Sequence, residues 1–557
     1  MVGPKDDFVF CALGGLGEIG MNAALYGYGP PAKRDWILVD CGVSFAGDDL
    51  PGIDLIMPDL KFIEGQKNRL KAIIITHAHE DHIGALLDLY PRLGAPPVYA
   101  TPFAAGLFDI RRQNEQGAKR IKLNIMKPGD RLALDPFEVE IISVAHSIPE
   151  STALAIRTPL GTVVHTGDWK IDEQPVAGWS TDSKRLTEIG DEGVLALICD
   201  STNVMREGES LSETDVAKGL AEVISKAKGR VAVTTFASNV ARIRSVALAA
   251  KELGREVVAI GRAMDRAIQV ATECGYLEGV AEFRSPETYG YLPRDKVICL
   301  LTGSQGEPRA ALSRVAEDQH PDVTLSAGDT VIFSSRTIPG NEKAVGRIIN
   351  GLVQQGVEVI TDRHALVHVS GHPRRGELKQ MYEWVRPKTL VPAHGEPLHL
   401  DEHRKYAIAC GVPDVVMASN GDIVRLAPGN PAIVDEAAHG KLYKDGDVLA
   451  PAADPAIPER RKLAFAGIVS VAIALDSKGE LLGDPAFAVS GIPQVDRAGR
   501  SFEDLIEEAV FAVLDNLPKS KRRDADLVET AIEKAVRSTV NHSWGKKPVC
   551  HVQVVLI

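Results

Sequence analysis

The stretch THAHEDHIG (residues 76–84) follows an apolar run that predicts a buried strand, and it brings three imidazoles and a carboxylate within six positions. His77 and His79 are two apart, so an extended loop would direct both the same way. Asp81 and His82 fall where a helix begins and would point to a neighbouring locus. Nitrogen and oxygen donors spaced in this way suit two adjacent divalent ions, such as zinc or manganese. A solvated loop that only caps a helix would leave this concentration of ligand-type side chains unexplained.

One loop cannot complete the coordination of two ions, so further ligands must come from later strand ends. His146 ends VEIISVAH, Asp168 ends GTVVHTGD, and His394 ends TLVPAH. Taken singly, a histidine at such a place is more often an ordinary surface or core residue. Together with the 76–84 cluster, the three complete a donor set. His165 should point to the opposite face from the metals and have a structural role.

Composition restricts the class of protein. The chain has 557 residues, with 45% hydrophobic and 25% charged residues, which is typical of soluble globular proteins and excludes disordered or fibrous ones. At roughly 100–200 residues per domain, three or four folding units are expected. No apolar run approaches the ~18 residues of a membrane helix, and the start MVGPKDDFVF lacks a signal pattern. We therefore expect no association with membranes.

The cysteines indicate the cellular compartment, and the net charge restricts the kind of substrate site. Seven scattered cysteines form no CxxC pair, which indicates free thiols in a reducing cytoplasm. The net charge of −12 gives no general attraction to nucleic acid. A polyanion would need a local basic groove or a metal centre.

The order of the predicted strands and helices divides the sequence into five segments. Short strands dominate residues 1–210, several of them ending in His or Asp, and helix–strand alternation over 211–365 predicts an inserted parallel α/β unit. The strand TLVPAH lies in a return segment, 366–448, and a Pro-, Ala- and Asp-rich stretch, 449–462, reads as a linker. Residues 463–557 predict a compact α+β domain with a strand pair in AFAGIVSVAIALD, two amphipathic helices and a closing apolar strand. Such a domain suits self-association.

The 77–82 cluster, combined with the three later strand-end ligands, resembles the metallo-β-lactamase superfamily. The resemblance implies an αββα sandwich interrupted by the α/β insert. It also implies two divalent ions, zinc first and manganese or magnesium as alternatives, which would activate water for attack on a carbonyl or phosphorus centre. Asp40, in LVDCG, matches the family's buried carboxylate that orients ligands. The implied ligands are His77, His79 and His146 for one ion, Asp81, His82 and His394 for the other, and Asp168 between them.

The borders of the insert resemble the β-CASP group of nucleic-acid hydrolases within that superfamily. Asp200 follows a strand in LICDST, and His372 lies in HVSGHP shortly before His394. The resemblance implies a pair close to the scissile phosphate, with His372 stabilising the phosphorane or protonating the leaving 3′ oxygen. The catalytic set it implies is Asp81, Asp168, Asp200 and His372.

Four loops within this frame resemble the ribonuclease J family: TTFASN (234–239), TGSQGEP (302–308), FSSRTIPGNE (333–342) and HVSGH (368–372). The likeness covers residues 7–450 and implies a cytoplasmic enzyme of RNA processing and decay. That enzyme would be a 5′-to-3′ exonuclease preferring single-stranded RNA with a 5′ monophosphate, with endonuclease activity. It would form a homodimer or tetramer and work with other RNA-decay proteins.

Gly- and Ser-rich loops after strands can bind phosphate through free N–H groups and short hydroxyls, although most such loops are only turns. Arg336 lies nearby as a cation. The predicted phosphate contacts are Ser238, Arg336, His368, Val369, Ser370, Gly371 and His372.

Other readings of the same residues stay open at this stage. A DNA-directed β-CASP nuclease would carry the same site, because the site residues do not read the 2′-hydroxyl. A thioesterase or lactonase of the superfamily is a second alternative, but the insert bordered by Asp200 and His372 argues against it. A non-catalytic subunit is a third, and it would be expected to lack metal ligands. GLGEIG (15–20) fits a dinucleotide fingerprint, but a strand rather than a helix should follow it. GDDLPGID (47–54) could bind calcium through Asp48, Asp49 or Asp54, although a solvated turn explains it better.

Overall fold

The computed structural model describes residues 6–115 and 117–557. These form two compact units. The first contains the described residues up to Ser44 together with Ile56–Leu442, and the second contains Phe45–Leu55 and Tyr443–Ile557. Residues 1–5, which belong to the N-terminal stretch considered above and to the predicted segment 1–210, lie outside the described residues.

For most segments, the order of strands and helices along the chain is the one that the sequence pattern predicts. The strands are β1 (Asp7–Gly14), β2 (Ala23–Gly29), β3 (Asp35–Val39), β4 (Ser44–Phe45), β5 (Leu55–Pro58), β6 (Leu70–Ile74), β7 (Val98–Ala100), β8 (Leu123–Ile125), β9 (Arg131–Leu134), β10 (Phe137–Ser143), β11 (Thr152–Thr158), β12 (Gly161–His165), β13 (Val194–Asp200), β14 (Val231–Thr234), β15 (Glu256–Ile260), β16 (Val297–Leu301), β17 (Thr330–Phe333), β18 (Glu358–Ile360), β19 (Thr389–Ala393), β20 (Asp414–Val415), β21 (Asp422–Ala427), β22 (Ala432–Glu436), β23 (Lys441–Asp445), β24 (Val448–Pro451), β25 (Ile468–Leu475), β26 (Ala486–Ser490) and β27 (Val549–Leu556). The α-helices are α1 (Lys61–Glu64), α2 (Glu80–Ile83), α3 (Leu86–Leu89), α4 (Pro102–Gln113), α5 (Ser183–Glu192), α6 (Glu213–Lys226), α7 (Val240–Glu252), α8 (Arg262–Glu273), α9 (Ala311–Ala316), α10 (Glu342–Gln354), α11 (Arg375–Val385), α12 (Pro397–Ala409), α13 (Ala456–Ala466), α14 (Phe502–Asn516) and α15 (Ala525–Trp544).

Two sheets stacked face to face form the centre of the first unit. One has the order β22-β21-β1-β2-β3-β6-β7-β8 and the other β20-β19-β13-β12-β11-β10-β9. Apolar side chains from the two inner faces, among them Ile37, Ile74, Ile141 and Ile156, form one buried cluster. On its other face the second sheet packs against helices through a separate cluster that includes Leu186 of α5 and Leu378 of α11. The predicted two-sheet α/β sandwich is confirmed.

The insert is a parallel α/β layer within the same unit. Its sheet has the order β15-β16-β14-β17-β18, and every neighbouring pair in it is parallel. Helix α6 begins at a capping box in which Ser212 and Asp215 satisfy each other's backbone amides. Because the strands are parallel, the loops that follow β14, β16 and β17 meet at one edge of the sheet. The predicted insertion of a parallel unit between β13 and β19 is therefore confirmed.

The second unit has its own core, in which α14 and α15 pack against the sheet β26-β25-β27. The predicted strand pair in 464–476 is wrong: the segment holds the end of α13 and the single strand β25, separated by Gly467 at φ 67°. The predicted linker at 449–462 is also wrong in conformation, since β24 and most of α13 occupy it. Pro451 ends β24, Pro455 is the N-cap of α13, and Pro458 lies in the first turn of that helix, where proline costs no helical hydrogen bond.

Among the described residues, no helix combines the length and the hydrophobicity needed to cross a membrane. The cysteines carry free thiols, as predicted; they are Cys11, Cys41, Cys199, Cys274, Cys299, Cys410 and Cys550.

Candidate metal centre

The 76–84 loop is held rigidly at the end of β6 by the chain that follows β3. The amide of Cys41 donates to the carbonyl of His82 at 2.7 Å, and that of Val43 donates to the carbonyl of Glu80 at 3.0 Å. At Gly42 a Cβ atom would lie 1.7 Å from the Asp81 carbonyl oxygen, so only glycine permits this approach. The loop backbone therefore presents its side chains from a fixed frame.

A first cluster of ligand atoms forms around His79. Its Nδ1 lies 3.1 Å from His77 Nε2 and 3.1 Å from His146 Nε2. Asp168 Oδ2 lies 3.9 Å from His77 Nε2 and 3.8 Å from His146 Nε2. One donor atom from each of these four residues lies within 4.8 Å of the others, which is close enough to surround one metal ion.

A second cluster shares the same Asp168 oxygen. His82 Nε2 lies 3.3 Å and His394 Nε2 3.6 Å from Asp168 Oδ2. Asp81 Oδ2 lies 3.6 Å from His82 Nε2 and 3.7 Å from His394 Nε2. The structure thus brings together all the residues that the resemblance implies as ligands, with Asp168 common to both groups. Their role as ligands stays a prediction.

Hydrogen bonds from outside the clusters fix how the histidines face. Asp40 accepts bonds from His82 Nδ1 at 2.7 Å and from the Thr76 amide and hydroxyl at 2.7 and 2.9 Å. His394 Nδ1 is 3.0 Å from Asn22 Oδ1. His146 Nδ1 lies 2.7 Å from the Gly371 carbonyl oxygen. A ring nitrogen occupied in this way leaves Nε2 to face the cluster.

Burial and neighbouring charges set the protonation of the clusters. Burial lowers the pKa of His77 and of His146 well below the usual value and that of His79 to about 4, so these rings are neutral donors. Burial alone would disfavour the Asp168 carboxylate, but His394 and His82 outweigh it and hold the pKa of Asp168 well below its usual range.

The donor set fits divalent cations. Asp168 Oδ1 is buried and has no hydrogen-bond partner among the described residues, which is costly unless another group binds it. Neutral imidazoles and ionised carboxylates are the ligands that zinc and manganese accept. The residues of the centre therefore suit two metal ions that share one carboxylate.

Asp200 and His372 lie beside the clusters. Asp200 Oδ2 accepts from His372 Nδ1 at 2.7 Å, and that nitrogen is 3.9 Å from Asp168 Oδ2. The centroid of the His372 ring is 5.0 Å from that of His146 and 5.7 Å from that of His394. Burial opposes protonation, but Asp200 outweighs it and raises the pKa of His372 to about 9. The pair is thus a charge-assisted hydrogen bond directed at the centre.

The predicted phosphate contacts are only partly gathered. Ser370 Oγ accepts from Asn203 Nδ2 at 2.8 Å, and its own hydrogen has no acceptor in the described part of the chain. Burial lowers the pKa of His368 well below its usual value, so the ring is neutral. Arg336 is exposed and has no ion pair within residues 6–115 and 117–557. No hydrogen bond between the Ser238 side chain and the 368–372 loop is found in the same ranges.

Sequence reasoning did not find the residues that orient the others. Asn22 and Asn203 contact the centre only through the fold. Thr76 opens the 76–84 stretch, but a threonine beside a motif carries no distinctive signal. Arg242 follows the N-cap Asn239 of α7, and its burial is not visible in the sequence. Their shared property is adjacency to ligand loops.

The secondary motifs have structural explanations. β2 follows GLGEIG, as predicted, and Gly15 accepts a bond from the His394 amide at 2.9 Å, so the loop belongs to the centre. His165 Nδ1 lies 2.8 Å from Tyr26 Oη, and His165 belongs to none of the ligand clusters found among the described residues. In the acidic turn, Asp54 accepts from the Gly446 amide at 3.0 Å, and the turn contributes to none of those clusters.

Comparisons with family models divide the chain in the same order as the fold. The metallo-β-lactamase superfamily matches residues 22–261, and the β-CASP domain of ribonuclease J matches residues 228–352. The RNA specificity domain of zinc-dependent metallo-hydrolases matches residues 356–415. The C-terminal domain of ribonuclease J matches residues 455–557. Each part of the architecture therefore matches a known family.

Similar proteins cover the whole chain. Ribonuclease J of Sinorhizobium meliloti is 54% identical over 99% of this chain and 98% of its own length. That of Thermus thermophilus is 35% identical over 95% and 96%. A crystal structure of a protein of unknown function from Enterococcus faecalis, 17% identical, has a TM-score of 0.54 over 75% of this chain and 100% of its own, and shows the fold alone. The chain belongs to the ribonuclease J family of metal-dependent ribonucleases.

Proposed function

We propose that this ribonuclease uses two divalent ions to cleave RNA from its 5′ end, preferring a 5′ monophosphate, and that it also cleaves internally. The observation that carries the proposal is the position of Asp168 Oδ2. It lies 3.3–3.9 Å from imidazole nitrogens of both clusters and of His372. A single carboxylate oxygen thus connects both groups of ligands with the Asp200–His372 pair.

The proposed ligands are the two clusters already described. His77, His79 and His146 would bind one ion, Asp81, His82 and His394 the other, and Asp168 both. Asp40 would orient His82. Zinc is the proposed metal because imidazole nitrogens dominate the set, with manganese or magnesium as alternatives. When bound, such ions polarise the phosphate and acidify water for its attack.

His372 and Asp200 would act on the leaving group. Asp200 accepts from Nδ1 of His372 at 2.7 Å, which leaves Nε2 for the substrate. From that position His372 can stabilise charge on the phosphate or donate a proton to the 3′ oxygen. The products would be a 5′ phosphate and a 3′ hydroxyl.

A pocket for the 5′ phosphate would form at the loop before His372. The Ser370 hydroxyl hydrogen, which has no acceptor in the described part of the chain, and the Arg336 side chain, which has no ion pair there, are the groups best suited to phosphate. His368, Val369, Gly371 and Ser238 complete the proposed set. A pocket at this point would place the first linkage beside the clusters, which favours removal of single nucleotides.

End-labelled RNA tests this proposal directly. The same single-stranded RNA would carry a 5′ monophosphate, triphosphate or hydroxyl, and a digestion time course with zinc or manganese would be followed on denaturing gels. Mononucleotides should accumulate fastest from the monophosphate, because only that end fills the pocket without excess charge. Equal rates for the three ends would contradict the preference, and internal fragments alone would contradict the 5′-to-3′ direction.

We further propose a homodimer or tetramer that acts in the cytoplasm with other RNA-decay proteins. The support is the edge strand β27, which among the described strands pairs with β25 alone and which exposes Val555 and Leu556. Light scattering of the full chain should give two or four times 59.9 kDa. Val555→Lys should shift the mass towards the monomer. His551→Lys, at an exposed position of the same strand, makes the same change of charge and serves as the control. A monomeric wild-type chain would exclude the assembly.

A further inference from the structure

Arg242 lies on α7, outside the ligand clusters, and its side chain is fully buried. Its Nη1 donates to the carbonyl oxygens of Ser334 and Val367, both at 3.0 Å, and to the Ser334 hydroxyl at 2.8 Å. Its Nη2 donates to the Val369 carbonyl at 3.3 Å, and Nη1 is 3.4 Å from His368 Nδ1. A planar guanidinium can direct several donors in fixed directions, which a lysine cannot. Arg242 therefore holds both carbonyls that flank His368.

The other side of Arg242 is linked through Glu213 to Asp172, in the segment that follows Asp168. Glu213 accepts from Arg242 Nε at 2.7 Å and from Nη2 at 3.2 Å. The Glu213 amide donates to Asp172 at 3.0 Å, and Asp172 faces Lys170 Nζ at 2.9 Å. All of these side chains are buried. Taking such charges out of water is costly, so the network suits a role in fixing geometry better than one in stability.

The loop that Arg242 holds also touches a candidate ligand. The Gly371 carbonyl oxygen lies 2.7 Å from His146 Nδ1. A Cβ at position 371 would lie 2.7 Å from two atoms of the His146 ring and 2.8 Å from the Ser147 amide nitrogen, so this contact requires glycine. Only Ser370 separates Gly371 from the Val369 carbonyl that Arg242 binds. A shift of the loop would thus move the acceptor that orients His146.

We propose that Arg242 is a positioning residue that sets the register of the loop 367–371, so that the loop both contacts the RNA 5′ phosphate and orients His146. The inference rests on the proposed function for the role of the loop and of His146. The inference adds that both roles of the loop, contact with the phosphate and orientation of His146, depend on the buried guanidinium of Arg242. Recognition of the RNA end and metal binding are then linked through a single segment.

Arg242→Lys tests the link, with Arg244→Lys as its control on the same helix. Arg244 bonds the Tyr276 carbonyl, and no hydrogen bond joins it to the loop in the described part of the chain. Two quantities would be measured on folded protein: zinc affinity, by competition with a chromophoric chelator, and the ratio of kcat/KM for 5′-monophosphate over 5′-hydroxyl RNA. Arg242→Lys should weaken zinc binding by about 10- to 100-fold, as changes to groups that orient ligands do. It should also lower the ratio, while Arg244→Lys leaves both as in the wild type.

If circular dichroism shows that Arg242→Lys does not fold, Ser334→Ala tests the same link. It removes the hydroxyl that accepts from Arg242 and donates to the Val367 carbonyl at 2.7 Å, and it leaves the buried charges in place. The same two changes, smaller in size, are expected. Wild-type zinc affinity and end preference in the folded variants would overturn the inference. If the wild type shows no end preference, the proposed function fails, whereas the zinc affinity still decides the role of Arg242.

Discussion

Asp168→Asn should reduce RNA hydrolysis by about 10³-fold or more and lower the bound metal below two ions per chain. The amide is nearly isosteric, so the change removes charge rather than volume. Asp168 Oδ2 lies within 3.9 Å of nitrogens from both clusters, and no other carboxylate occupies this shared position in the described ranges. A neutral amide cannot balance two cations, and its NH₂ group has no lone pair to offer a metal ion at the position that Oδ2 occupies. Metal content after dialysis and cleavage of labelled RNA are the measurements.

Glu173→Gln provides the matched control for Asp168→Asn. Glu173 is an exposed carboxylate five positions later, and the substitution removes the same charge without touching the clusters. It should keep wild-type metal content and activity. Treatment of the wild type with a chelator should abolish cleavage, and added zinc or manganese should restore it. Full metal content and full activity in Asp168→Asn would show that the shared carboxylate is not a ligand.

The contrast between the predicted and the unpredicted site residues has a physical cause. His77 to His82 could be found because one short loop carries several ligands after an apolar strand. His146, Asp168 and His394 follow the ends of β10, β12 and β19, which belong to one sheet, and strand ends gather at an edge, so their position in the pattern was informative. Asn22 and Arg242 act through hydrogen bonds to residues far away in the sequence. Nothing in the local pattern distinguishes such residues from ordinary polar positions.

The errors in the fold have an equally local origin. The stretch 449–462 is rich in proline, which favours a linker, yet its prolines precede or begin α13, where the missing N–H is not needed. The apolar run after it contains a helix end and a strand, which are separated at Gly467. This break depends on a positive φ, and the sequence does not show which glycines adopt one. Composition indicated these elements only coarsely. By contrast, the alternation of helices and strands in the insert was long enough to identify a parallel sheet.

His372→Ala should lower kcat by about 10²- to 10⁴-fold while both metal ions stay bound, in keeping with the loss of one acid–base group. The ring belongs to neither of the clusters that contain His77 or His394, but it shares a group with Asp168 and Asp200. Asp200→Asn should reduce kcat as well, because the acceptor at 2.7 Å that fixes the His372 ring becomes an amide that can donate instead. Single-turnover cleavage and metal analysis of the same preparations would separate the two effects.

Metal retention is what distinguishes this prediction from that for Asp168. If His372 only supported the fold, its removal would lower metal content and the unfolding temperature along with the rate. If it acts on the leaving oxygen, the rate alone falls, and RNA with a better leaving group at the scissile bond, such as a 3′-bridging phosphorothiolate, should recover much of the loss. His364→Ala, at an exposed histidine eight positions earlier whose Nδ1 accepts from the Thr361 amide, should change neither quantity. A loss of metal in His372→Ala, or an equal loss of rate on both substrates, would remove His372 from the chemistry of the leaving group.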